Sequence, residues 1–147
     1  MDRHPANEEH AIDRAGTDAA ITDAAVIVIA HGSRMETANV AHHSLCARLG
    51  DQRGRTVIAA FLELATPDLP AAVRAAVGAG ADRIVVVPYF VHPGNHTSRD
   101  IPALVDDARD LHRGVDITIA PLFGADPALL DVLADQIRQA TDDPRVV

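Results

Sequence analysis

Apolar residues fall into two alternating kinds of stretch along this chain. Ala25 to Ala30, Thr56 to Leu62, Ile84 to Val87 and Val115 to Ala120 are short, nearly continuous runs rich in β-branched residues. That is the pattern of strands covered on both faces in a parallel sheet. Between and after them, apolar or small residues recur at helical spacing. The first such segment, Glu36 to Leu49, carries Val40, Ala41, Leu45 and Leu49, with Gly50 placed as a C-terminal cap. The second opens at Thr66-Pro67, read as a cap and first-turn proline, and presents Leu69, Val73, Ala76 and Val77 before Gly78 and Gly80. The third has Ile101, Leu104, Val105, Ala108 and Leu111 on one face and stops at Gly114. The fourth repeats the cap-plus-proline device at Asp126-Pro127 and carries Leu129, Leu133, Ile137 and Ala140.

The order β-α-β-α-β-α-β-α predicts an α/β fold: a single-domain, doubly wound, parallel four-stranded sheet with helices on both faces, a three-layer sandwich of the flavodoxin or Rossmann type. Strand order is not readable from the pattern. A length of 147 residues suits one domain. It is expected over residues 24–141, after a disordered acidic extension over 1–23 and before a polar tail over 142–147. The extension holds six acids and two arginines without a sustained period.

Composition narrows the function. The chain is 48% hydrophobic without Trp, so its core is built from Ala, Val, Leu and Ile. Its formal charge is -8 and every basic residue is Arg, which excludes lysine Schiff-base chemistry and disfavours nucleic acid or anionic membrane as partners. Cys46 is alone, so no internal disulfide forms. No apolar run approaches the roughly 20 residues of a membrane span, and the first 23 residues lack the apolar core of a signal peptide. A reducing, cytoplasmic setting is expected. Neither G-x-G-x-x-G nor G-x-x-x-x-G-K-[ST] is present, so no nucleotide cofactor is expected.

In a parallel sheet the loops after the strands line one edge, where open α/β sheets bind ligands. His31, Glu63, His96 and the Leu122-Phe123-Gly124 turn each follow a strand. One histidine there reads as structural. Two imidazoles converging on one cleft beside a carboxylate can ligate a divalent transition metal or take up protons around pH 6.5. Glu63 also reads as a plain strand-end carboxylate, and His92 as either a further ligand or an exposed loop residue. His42 and Cys46 share a helix face, which suggests core packing for the thiol and solvent for at least one of His42 and His43. His112 suits the dipole of a last helical turn. Asp100 reads as a helix cap or, secondarily, a loop-positioning group. Arg34 and Arg99, each three residues from a key histidine, are placed for bidentate carboxylate contacts.

Four motifs then carry a resemblance: Ala30-His-Gly-Ser33, Ala60-Phe-Leu-Glu-Leu-Ala-Thr-Pro67, Val87-Pro followed by Gly94-Asn-His96, and Asp100-Ile-Pro102. In this order and spacing the chain resembles the small single-domain sirohydrochlorin chelatases of the CbiX type, from Ala25 to about Ala140. It departs from their pattern at Tyr89-Phe-Val-His-Pro93 and at Thr97. The resemblance implies ATP-independent insertion of cobalt or ferrous iron, with nickel also possible, into sirohydrochlorin for cobalamin or siroheme. It implies His31 and His96 as active-site histidines, with Ser33, Arg34, Gly94, Asn95 and Arg99 around the tetrapyrrole. The metal is substrate, and no organic cofactor is implied. One row of loops lines only one side of a flat macrocycle, so a homodimer is expected. Two other readings remain: an inert metal or tetrapyrrole carrier, and a histidine phosphatase, although the Arg-His-Gly signature of the latter is absent because Ala30 precedes His31.

Overall fold

The computed structural model describes residues 24–142. The acidic extension and all but the first residue of the polar tail lie outside this range. Strands β1 (Ala25–Ala30), β2 (Val57–Phe61), β3 (Arg83–Pro88) and β4 (Asp116–Ile119) form one parallel sheet in the order β2-β1-β3-β4. Helices α1 (Glu36–Arg53), α2 (Leu69–Gly78) and α3 (Ile101–Leu111) make the crossovers, and α4 (Ala128–Asp142) follows β4. The chain passes from β1 outward to β2 and then back across to β3. The order of the strands therefore reverses between β1 and β3, which is where doubly wound sheets open a crevice at their carboxyl ends.

Side chains alternate across the strands. Ile27, Ile29, Ala60, Ile84, Val86 and Ile117 face one side and join Leu69, Val73, Ile101 and Val105 in the main core under α2 and α3. Val28 and Ala59 face the other side and meet Cys46 of α1 in a much smaller cluster. The layers match the expected sandwich, but the second helical layer is thin.

Several local expectations change. The buried face of α1 is Asn39, His42, Cys46 and Gly50, while Val40 is exposed. The helix runs through Gly50 because that glycine packs on the Arg55 carbonyl, where a Cβ would lie 2.6 Å away. The cap is Gly54 at φ 63. Helix α2 is capped by Asp68, which accepts from the Ala71 N–H, and the Thr66–Pro67 peptide, which is cis, lies in the preceding loop. Leu111 is exposed because α3 ends there, past the edge of the core. Helix α4 carries the stripe Leu129, Leu133, Ile137 and Ala140, yet none of its residues is buried. Asp126 does accept from the Ala128 N–H at its start.

Candidate metal and tetrapyrrole site

The carboxyl edge is a set of loops tied to one another by backbone hydrogen bonds. The Leu62 N–H donates to Ala30 O at 2.8 Å and the Glu63 N–H to His31 O at 2.9 Å, so the loops after β1 and β2 advance together. Gly32 allows this. At φ +93, any Cβ would sit 1.8 Å from the Glu63 carbonyl oxygen. On the far side, the Tyr89 N–H donates to Ile29 O and the Gly124 N–H to Phe90 O.

Asn39 fixes the other limb of the first loop. Its Oδ1 accepts from the Ser33 N–H at 2.9 Å and its Nδ2 donates to Ser33 O at 2.8 Å. At 5% exposure it is one of only two buried polar residues among those described. Sequence reasoning missed it. The available signal was its place three before His42 and seven before Cys46, on what becomes the buried face.

His96 opens a single π-helical turn, His96–Asp100, closed by the Ile101 N–H bonding to His96 O. Such one-residue widenings of a helix cluster at functional sites. Asp100 is itself helical and caps nothing. Its carboxylate instead accepts from His96 Nδ1 at 2.8 Å, so the positioning role replaces the cap. That hydrogen bond, helped by Arg99, holds the Asp100 carboxyl below its ordinary range. Ahead of the turn, Thr97 Oγ1 accepts from the Gly94 N–H and donates back to Gly94 O, and Ser98 Oγ also donates to Gly94 O. The polar residue at 97 thus closes the loop on itself.

Both imidazoles are oriented through Nδ1. A carboxylate and a carbonyl only accept, so His96 Nδ1–H donates to Asp100 and His31 Nδ1–H donates to Gly32 O at 3.0 Å. In the neutral form each ring then offers an unprotonated Nε2, as a metal ligand or proton acceptor requires. The rings stand edge to face with centroids 5.0 Å apart. His31 Nε2 lies 3.7 Å from Glu63 Oε2, and one donor atom from each of His31, Glu63 and His96 falls within 4.8 Å of the others. Tetrahedral ligands at about 2.1 Å from a divalent ion stand about 3.4 Å apart, so small rotamer movements close the set on one ion. All three side chains are near half exposed, which leaves coordination positions open to an incoming nitrogen donor.

The remaining candidates surround this triad unevenly. Ser33 lines a groove of about 400 Å³ between α1 and the β3 loop, with Gly32, His42, Arg48 and Tyr89. Arg34, Gly94, Asn95 and Arg99 are exposed on the segments that carry His31 and His96, and Arg99 leans on Asp100. His92 is exposed and outside the triad. His43 is solvent-facing, whereas His42 is buried with Nε2 against Val28 O at 3.0 Å. Burial lowers its pKa, the Val28 contact opposing and His43 reinforcing the effect. Burial also pushes the Cys46 thiol up to about 11. Among the described residues no helix is long and apolar enough to cross a membrane.

Fold and donor set together describe an α/β protein with three metal-ligating side chains, His31, Glu63 and His96, gathered at the switch point of its sheet. The chain belongs to the CbiX family, whose model matches residues 25–140. It is 34% identical to the chloroplastic sirohydrochlorin ferrochelatase of Arabidopsis thaliana over 77% of its length, and spans 51% of that protein. It is 33% identical to the sirohydrochlorin cobaltochelatase of Methanopyrus kandleri over 79% of its length, and spans 96% of that one. Among solved structures, a CbiX protein of cobalamin biosynthesis from Marinobacter aquaeolei VT8 superposes with a TM-score of 0.72 at 29% identity, over 80% of this chain and 96% of that one.

Proposed function

We propose that this chain inserts a divalent metal, cobalt or ferrous iron, into sirohydrochlorin without ATP, in cobalamin or siroheme synthesis. The observation that carries the reading is the convergence of His31, Glu63 and His96 with both rings held through Nδ1. The names of the relatives from Arabidopsis and Methanopyrus support the same substrate. Imidazole ligands accept cobalt, iron and nickel alike, so the donor set alone does not choose the metal.

The chemistry needs two things of the protein. The ion must be held with open positions, which two imidazoles and one carboxylate provide. Two pyrrole N–H protons must leave as the ion enters the ring, and neutral imidazole accepts protons near neutral pH. As the ion passes to the macrocycle nitrogens, His31 and His96 exchange a metal for a proton at Nε2. Asp100 stabilises the charge that then develops on His96. The substrate bears many carboxylates while the chain carries -8, so recognition is local. Arg34 and Arg99, on the segments that carry the two histidines, meet these carboxylates, and Ser33, Gly94 and Asn95 supply polar and backbone contacts. Two copies facing each other would enclose the macrocycle, in a reducing, cytoplasmic compartment.

The test is the visible spectrum of sirohydrochlorin with cobalt or ferrous ion, with and without protein at a hundredth of the macrocycle concentration. Complete conversion, faster than the uncatalysed reaction, supports a chelatase. Conversion that stops at one equivalent would mark a carrier.

A further inference from the structure

Helix α4 is amphipathic, and none of its residues is buried among the described residues. Leu130, Leu133 and Ile137 form a stripe and are 70%, 54% and 67% exposed. Asp131, Asp135, Arg138 and Asp142 occupy the opposite side, with Asp135 and Arg138 paired. Helix α4 has no extended contact with any described strand or helix. A lone helix of 15 residues is marginal in water, because most helical stability in proteins comes from packing an apolar face.

The sheet has a matching uncovered face. Helix α1 lies over β2, and opposite α2 and α3 no helix among the described residues makes extended contact with the remaining half of the sheet. Val85 of β3 is only half-buried there, beside exposed Thr118 and half-buried Ala120, while Val87 borders the Cys46 cluster under α1. One chain thus carries an apolar helix stripe and an apolar sheet strip, each lacking the other. Its own helix is held off that strip. Helix α4 leaves from the 3-10 turn Phe123–Ala125, and that turn is pinned to the β3 loop, where Gly124 sits too close to the Val91 carbonyl for any Cβ.

We propose that α4 is an exchanged helix: it lays Leu130, Leu133 and Ile137 on the strip around Val85 of a second copy and receives that copy's α4 in return. The reciprocal contact is closed by a two-fold axis and leaves no sticky surface over. A second copy also supplies in trans what longer relatives have room for in one chain, since this chain spans 51% of the Arabidopsis protein and 45% of the ferrochelatase of Priestia megaterium. Both copies of α4 start at the carboxyl edge, and 15 helical residues span about 22 Å. The exchange therefore holds the two metal-site edges within about a helix length of each other. This inference rests on the two-copy cleft proposed above and says how that cleft is held together.

Two experiments test it on the full chain. Chains carrying Val85→Cys and chains carrying Ile137→Cys, both with Cys46→Ala, are mixed and mildly oxidised. A disulfide-linked pair of unlike chains is expected. No link in the mixture overturns the exchange, as does a doubly substituted chain that closes the bond within itself at high dilution. Separately, Leu133→Glu with Ile137→Glu alters only exposed positions, so circular dichroism should be unchanged while the dimer dissociation constant from sedimentation rises at least about tenfold. A dimer that persists unchanged overturns the exchange but leaves the two-copy cleft standing. A wild-type monomer at full specific activity overturns both.

Discussion

In the proposed reaction His31 and His96 act as a pair prepared by their neighbours, since each engages a fixed acceptor through Nδ1 and so keeps Nε2 for the metal or proton. Replacing either by Ala should cut metal insertion by about 10² to 10⁴-fold without loss of helical circular dichroism, because both side chains are near half exposed. Steady-state turnover on folded variants checks this, and more than about a tenth of wild-type rate in either would contradict the pairing. His42 has the opposite character. Its pKa is lowered by burial, so the unfolded chain takes up a proton first as pH falls. Stability contributed by neutral His42 is full above about pH 6.5 and declines as pH drops below that value toward the lower folded pKa. Thermal melts from pH 8 to pH 5 should fall more steeply for wild type than for His42→Phe. Parallel curves would mean that His42 titrates normally in the fold.

At the scale of elements, the four strands and four helices were legible because continuous β-branched runs and 3.6-residue stripes are strong local signals. Their faces were less so. The helical pattern of α1 pointed to Val40 and Leu49, but the residues it buries are Asn39, His42, Cys46 and Gly50, since a polar side chain with fixed partners and a glycine under a carbonyl bury as well as aliphatic ones do. The apolar stripe of α4 is legible in the sequence but its exposure is not, because periodicity identifies a face and not what covers it. The π turn at His96 left no mark in the sequence, since it accompanies the Asp100 contact and the Gly94 loop and no local period. The loop crossing at Gly32 offers a direct check. Gly32→Ala meets the Glu63 carbonyl and a left-handed φ together, so it should cost at least about 1–3 kcal/mol from the backbone conformation alone, with the clash added. Chemical denaturation of the variant measures this, and a midpoint equal to wild type would show that the two loops separate freely.

For the whole molecule, strand order was hidden in the sequence, and it decides the site. Because β1 and β3 are neighbours, His31 and His96 meet across the reversal point, with Glu63 joining from β2 through the Gly32 crossing. Had β3 been placed elsewhere, the same three residues would stand apart on the same edge. The account therefore depends on one ion bridging these three loops. The most direct measurement is an anomalous-scattering map from crystals of this protein soaked in cobalt. The account predicts one principal peak, about 2.0–2.2 Å from His31 Nε2, His96 Nε2 and a Glu63 carboxylate oxygen, reduced by His96→Ala. Cobalt bound instead by His42, His43 or His92, with the His31 and His96 pair bare, would contradict it.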